Sequence, residues 1–209
     1  MSLLTTWGYT VKDADTLPEM LEAIEYDQFT ADKYAGDKRT YGNIMAAESA
    51  IRNYCGWHIF PELDCRLDTT FFDRRVTTAG RYILVQLPAT YVTAVESIEI
   101  GGTHYDETYV LDPNGMLRIY GVDMHALREY SKIVIDYKAG IPEELAAGLK
   151  ELIAHRVTHA MASSDGVQSE SAGGVSITYN AFWTNNARAT ALTDDNKEVL
   201  APYRLKGVF

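Results

Sequence analysis

The run G-I-P-E-E-L-A-A-G-L-K-E-L-I-A-H-R-V-T-H-A-M, from Gly140 to Met161, decides how the chain reads. At helical spacing Leu145, Leu149, Leu152, Ile153, Val157, Ala160 and Met161 fall on one face. Pro142 suits a first helical turn, where its missing N–H costs nothing. Glu143 and Glu144 follow it, and carboxylates there favour the helix dipole. Immediately before lies I-V-I-D-Y-K, Ile133 to Lys138, a strand pattern. A strand therefore ends, Ala139-Gly140 turns the chain, and a long helix spanning 140–162 begins.

Upstream of this helix the pattern is β. R-L-D-T-T-F-F, R-Y-I-L-V-Q-L, T-A-V-E-S-I-E-I, T-Y-V-L and M-L-R-I-Y are β-branched and aromatic runs with period-two stretches. Gly101-Gly102 and Asp112-Pro113-Asn114-Gly115 punctuate them, and Asn114-Gly115 between alternating runs signals a hairpin. These runs predict a mostly antiparallel sheet of about five or six strands over 61–139. Further back, Met1 to Lys12 reads as a polar lead-in with Trp7 and Tyr9, a docked arm rather than a packed element. Thr16-Leu17-Pro18 opens a short helix carrying Met20, Leu21 and Ile24. Asn43 is the expected N-cap of a second helix with Ile44, Ala47, Ile51, Tyr54 and Cys55 buried, and Gly56 follows its end. Residues 1–60 are thus expected to be the helical start of the core.

Beyond Met161 the composition softens. Val157 to Ala187 contains no Lys or Arg. Ser163 to Gly174 reads as a flexible polar loop, within a segment 163–192 that also holds the strand-like V-S-I-T-Y-N. In 193–209, Thr193 caps a last short helix that Pro202 closes, and an apolar tail follows. The expected fold class is α+β: a helical core of three to four helices, an inserted antiparallel sheet and an extended C-terminal tail.

The totals exclude several functions. Of 209 residues, Lys and Arg number 19 against 29 Asp and Glu, a formal charge of -10 with no basic segment, which argues against reading of nucleic-acid grooves. No apolar run is long enough to span a membrane. Cys55 and Cys65 read as reduced core thiols. No phosphate-binding glycine motif occurs, Asp64, Asp68 and Asp73 do not make a calcium loop, and His58 has no nucleophile motif beside it. Glu151, His155 and His159 recur at i, i+4, i+8 and are the one candidate metal set, for a metal-dependent hydrolase; a polar helix face is the plainer reading. No active site and no cofactor are expected. With 14 Tyr and 3 Trp, the remaining signal is association.

In order along the chain, Y-C-G-W-H-I-F-P, Q-L-P, V-T-A-V-E-S-I-E-I-G-G, Y-K-A-G-I-P-E-E-L, Q-S-E-S-A-G-G-V-S-I-T-Y and L-A-P-Y-R-L resemble tailed-phage head-to-tail connector proteins, the head completion adaptors, over Tyr41 to Leu205. The resemblance implies a non-enzymatic virion component. It would form a ring of twelve copies under the portal and line the channel through which double-stranded DNA passes. It would join the head to a stopper or tail-completion protein, after assembly in the host cytoplasm. It makes Leu200, Pro202, Tyr203, Leu205 and Phe209 the portal-docking candidates. Ser169, Glu170, Ser171, Gly173 and Gly174 would lie near the lumen or a neighbouring subunit. A stopper or tail-completion protein is the alternative within the same neck. Deleting Pro202 to Phe209 is expected to leave the fold intact and abolish portal attachment.

Overall fold

The computed structural model describes residues 2–22, 25–26, 38–105, 108–125, 127–128, 131–164, 169–172, 175–178 and 192–205. The chain divides into two compact units. One comprises Met1–Pro18, Cys55–Glu143 and Ala201–Phe209; the other comprises Glu19–Tyr54 and Glu144–Leu200.

The first unit holds two antiparallel sheets. β1 (Leu3–Leu4), β2 (Thr10–Val11), β3 (Leu63–Thr70), β6 (Val92–Ile100), β7 (Thr103–His104) and β10 (Lys132–Ala139) form a sheet in the order β1-β2-β3-β10-β6-β7. β4 (Val76–Ala79), β5 (Tyr82–Gln86), β8 (Tyr109–Leu111) and β9 (Met116–Tyr120) form the other, ordered β4-β5-β9-β8. Each sheet follows the expected alternation. Ile135 pairs with Leu67 on one side and Ile98 on the other, and Ile83 and Val85 face Ile119 and Leu117. All seven of these side chains are fully buried. The predicted runs are therefore strands, in two sheets rather than one. Asn114-Gly115 does turn β8 into β9, with Gly115 at φ 75°. A Cβ there would collide with the carbonyl oxygen of Ala89, so only glycine fits.

The N-terminal residues are a packed element, where an arm merely docked on the fold was expected. They add β1 and β2 to the sheet edge, and Tyr9 and Val11 are buried. Tyr9 is anchored by His58. The Tyr9 hydroxyl lies 2.7 Å from His58 Nδ1, and His58 Nε2 lies 2.8 Å from the Ala139 carbonyl. With Nε2 protonated and donating to that carbonyl, Nδ1 accepts from the tyrosine. The solvent side of the sheet carries charge instead. Asp136 accepts two bonds from Arg66, at 2.7 and 2.9 Å, and one from Ser97 at 3.1 Å, with Lys12 Nζ 3.0 Å away. The Arg66 hydrogen bond leads the causes that hold the Asp136 carboxyl down at about 2, against the opposing effect of burial.

The second unit is helical. α1 (Lys38–Cys55) and α2 (Ala147–Ser164) are its long helices, α3 (Asp194–Leu200) is short, and β11 (Ser169–Ala172) pairs with β12 (Val175–Thr178). α1 buries Ile44, Ala47 and Ile51, as its spacing predicts, and Gly56 follows it at φ 81°. Asn43 is not its cap. It lies inside the helix, buried, and its Nδ2 donates to Met161 Sδ at 3.0 Å. The long C-terminal helix starts later than the sequence suggested: Glu143–Leu145 is a 3-10 turn, and α2 begins at Ala147. Leu149, Ile153, Val157, Ala160 and Met161 are buried, whereas Leu152 is half-buried and Leu145 is 54% exposed.

Residues 16–22 are not helical. Met20 and Leu21 are buried in an irregular segment whose two N–H groups donate to Glu48 Oε1, at 2.7 and 3.0 Å. Ile24 lies outside the described residues. The predicted loop 163–174 also differs, because Ser163 and Ser164 continue α2 and 169–172 is a strand. Thr193 caps α3 as expected, its Oγ1 accepting from Asn196 N at 3.3 Å.

Candidate functional site

The C-terminal turn Ala201–Tyr203 follows α3 and is a single 3-10 turn. It belongs to the β-rich unit and is tied there by its backbone. The Trp57 indole N–H donates to the Tyr203 carbonyl at 2.7 Å, and Thr90 Oγ1 donates to the same oxygen at 3.4 Å. Leu205 N donates to the Cys55 carbonyl at 2.9 Å. The stretch W-H-I-F-P places Trp57 for this, with Trp57 fully buried. Burial pushes the Cys55 thiol up to about 12, against the pull of the Arg204 cation.

These ties sort the docking candidates. Leu200 is fully buried and Leu205 nearly so. Pro202 is exposed and Tyr203 half-buried, and both line a cavity of about 410 Å³ with Gln86, Tyr91, Pro113 and Asn114. Phe209 lies outside the described residues. Truncation at Pro202 would therefore remove the Trp57 and Cys55 bonds and the Leu205 side chain, which are contacts of the fold. The cavity wall joins three segments far apart in sequence, the β5–β6 connection, the β8–β9 turn and the C-terminal turn. No local motif announces it.

The other candidates separate. Ser169, Glu170 and Ser171 lie in β11, in register with Thr178, Ile177 and Ser176; Gly173 and Gly174 lie outside the described residues. Glu151, His155 and His159 are on the exposed side of α2. His159 is held below the ordinary histidine value, by desolvation first and then by the Arg156 and His155 charges. Among the described residues no three His, Cys, Asp or Glu side chains converge as a metal site would need. His58 is fully buried, and both ring nitrogens are engaged in the core. Among the described residues no helix is long and apolar enough to cross a membrane.

A family model for head completion proteins matches residues 19–204. The chain belongs to the head completion protein family. The matched range takes in both long helices, both sheets except for the N-terminal hairpin, and the C-terminal turn. The fold of this family member is similar to that of a chain from the virion of a native gene transfer agent (GTA) particle. That chain is 16% identical, with a TM-score of 0.50, over 96% of this chain and 99% of that one. A chain from the neck of an empty GTA particle computed with C6 symmetry is 18% identical, with a TM-score of 0.46, over 88% and 96%. No curated protein matches the sequence.

Proposed function

We propose that the protein is a structural adaptor in the neck of a tailed-phage or phage-like particle. Copies form a ring of twelve under the portal, line the DNA channel and present a seat for the stopper or tail. Membership of residues 19–204 in the head completion family carries this reading. The charge is consistent with it. A chain of net charge -10 does not hold a duplex tightly, since affinity for DNA comes largely from cations that displace phosphate counterions. The candidate catalytic groups also fit a structural role. His58 is a core residue, and the polar side of α2 carries Glu151, His155 and His159 without convergence.

In this reading the protein is not an enzyme, needs no cofactor, and acts in the virion after assembly in the host cytoplasm. Pro202 and Tyr203 face the portal, with Leu205 supporting the turn from beneath. The β11–β12 hairpin lies toward the lumen or the next copy. The test uses Tyr203→Asp. The turn is held by the Tyr203 carbonyl rather than its ring, so the variant folds and melts like the wild type. DNA-filled heads made with it should lack the protein by immunogold electron microscopy. Heads that carry it at wild-type occupancy would overturn the docking assignment. Particles that build a normal neck without the protein would overturn the adaptor reading.

A further inference from the structure

Leu145 has no account in the fold. It is 54% exposed between buried Ala146 and a helix face it was expected to join. It ends the 3-10 turn Glu143–Leu145, in which Glu143 and Glu144 are exposed as well. A single exposed leucine is ordinary. A leucine beside two carboxylates on a tight turn is a small acidic and apolar knob.

The β-rich unit holds a cavity of the opposite character. It has a volume of about 300 Å³ and is lined by Trp7, Arg74, Arg75, Pro88 and Leu205 among others. Pro88 and Leu205 give it an apolar floor, and both are buried. Arg75 is fixed in its wall, with Nη2 donating to the Trp7 carbonyl at 2.9 Å and Nη1 to the Gly8 carbonyl at 3.3 Å. Arg74 is exposed beside it. Two adjacent guanidinium groups over an apolar floor are a local reversal of sign in a chain of net charge -10. The volume lies at the bottom of the range for ligand cavities, about 300–1,000 Å³, and suits a side chain or two. A duplex would need a track of cations rather than one pair.

We propose that Glu143–Leu145 of one copy seats in the cavity of a second copy of this chain. Leu145 packs on Trp7, Pro88 and Leu205, and the Glu144 carboxylate pairs with Arg74 in the forked geometry that guanidinium favours. The knob and the cavity are different surfaces, so the contact is head-to-tail and repeats from copy to copy, as a closed ring requires. The inference rests on the proposed ring and names the side chains that would join its neighbours.

Cysteine cross-linking tests it. Cys55 and Cys65 are buried, with thiols pushed up to about 12, so introduced surface cysteines are the ones that react. Thr6→Cys at the cavity and Ala147→Cys beside the knob are both at exposed positions. The two proteins, carrying different mass tags, are mixed at high concentration with a short bismaleimide. Links between unlike chains should exceed links between like chains by roughly tenfold. Arg74→Glu in the cavity chain or Leu145→Asp in the knob chain should lower them by about tenfold or more, the scale of one ion pair or one buried leucine side chain lost. Glu144→Arg in the knob chain should restore linking to Arg74→Glu.

Equal amounts of like and unlike links, indifference to Arg74→Glu, or protection of Thr6→Cys by a DNA duplex in place of the second chain would each overturn the proposal. The assay needs no particle, so it fails or holds separately from the neck assignment. Unlike-chain links with normal necks in the protein's absence would leave the copy contact standing and remove the adaptor reading.

Discussion

The two units treat charge differently. In the β-rich unit one buried carboxylate, Asp136, is met by cations that stand partly exposed on the solvent side of the first sheet. There Asp136 is held by Arg66 and Lys12, and Lys132 reaches Asp68 at 2.7 Å across the same face. In the helical unit both members of a charged pair are buried. Glu48 is 1% exposed, 3.6 Å from Arg52, and its other oxygen takes the Met20 and Leu21 N–H groups. Lys150, also buried, reaches Glu25 at 2.7 Å. A sheet has a built-in solvent side, because its residues alternate. The helical unit has an irregular segment, residues 19–22, whose backbone must be satisfied by something. A buried carboxylate does that work, and its own desolvation raises its pKa even with three partners opposing.

The strongest way to break this contrast is Glu48→Ala. It strands two buried N–H donors and removes the carboxylate facing Arg52, so unfolding free energy in urea should fall by about 4 kcal/mol. Glu48→Gln keeps the acceptor oxygen and should recover more than half of the loss. If the two variants melt alike, the backbone bonds are not what Glu48 is for. Gly115→Ala is the matching insult to the β-rich unit, at about 3 kcal/mol, from a Cβ forced against the Ala89 carbonyl and a strained φ. Hydrogen exchange should then rise in β8 and β9 before it rises in α1.

Asp136→Asn sharpens the comparison through pH. The folded carboxyl sits at about 2, below an unfolded value near 3.9, so its stabilisation is complete above about pH 4 and disappears as pH falls toward 2. The variant should be less stable by about 1–2 kcal/mol at pH 7, since Arg66 is half exposed and part of the interaction is screened, and should converge on the wild type as pH falls through and below about 2. A gap that persists in acid would point to shape rather than charge. The smallest effect is expected from Thr193→Ala, about 0.5–1 kcal/mol confined to α3, read as local exchange at Asn196.

The same contrast explains what could be read in advance. The β-rich unit was legible because its signals are local. Alternation in Ile133 to Lys138 and the turn at Asn114-Gly115 each fix geometry within a few residues. Its second sheet was not separable, since pairing partners are set by contacts far apart in sequence. In the helical unit the face of α1 was legible from Ile44, Ala47 and Ile51. The start of that helix was not, because Asn43 looks like a cap and is a core residue bonded to Met161. Leu145 obeys the spacing of α2 and still lies outside it, in the turn that Pro142 opens. Of the docking candidates, chain position alone could not tell buried Leu200 and Leu205 from accessible Pro202. That distinction comes from the Trp57 and Cys55 bonds, which no periodicity encodes.

The bond from Trp57 to the Tyr203 carbonyl also makes the molecule its own indicator. Any event that lifts the final turn admits water to a sealed indole, and the emission of that ring moves to the red. Attachment of the turn to another component, with the bond kept, leaves the colour unchanged. With Trp7 and Trp183 replaced by phenylalanine, opening of the final turn can thus be timed by the emission of Trp57, without a dye.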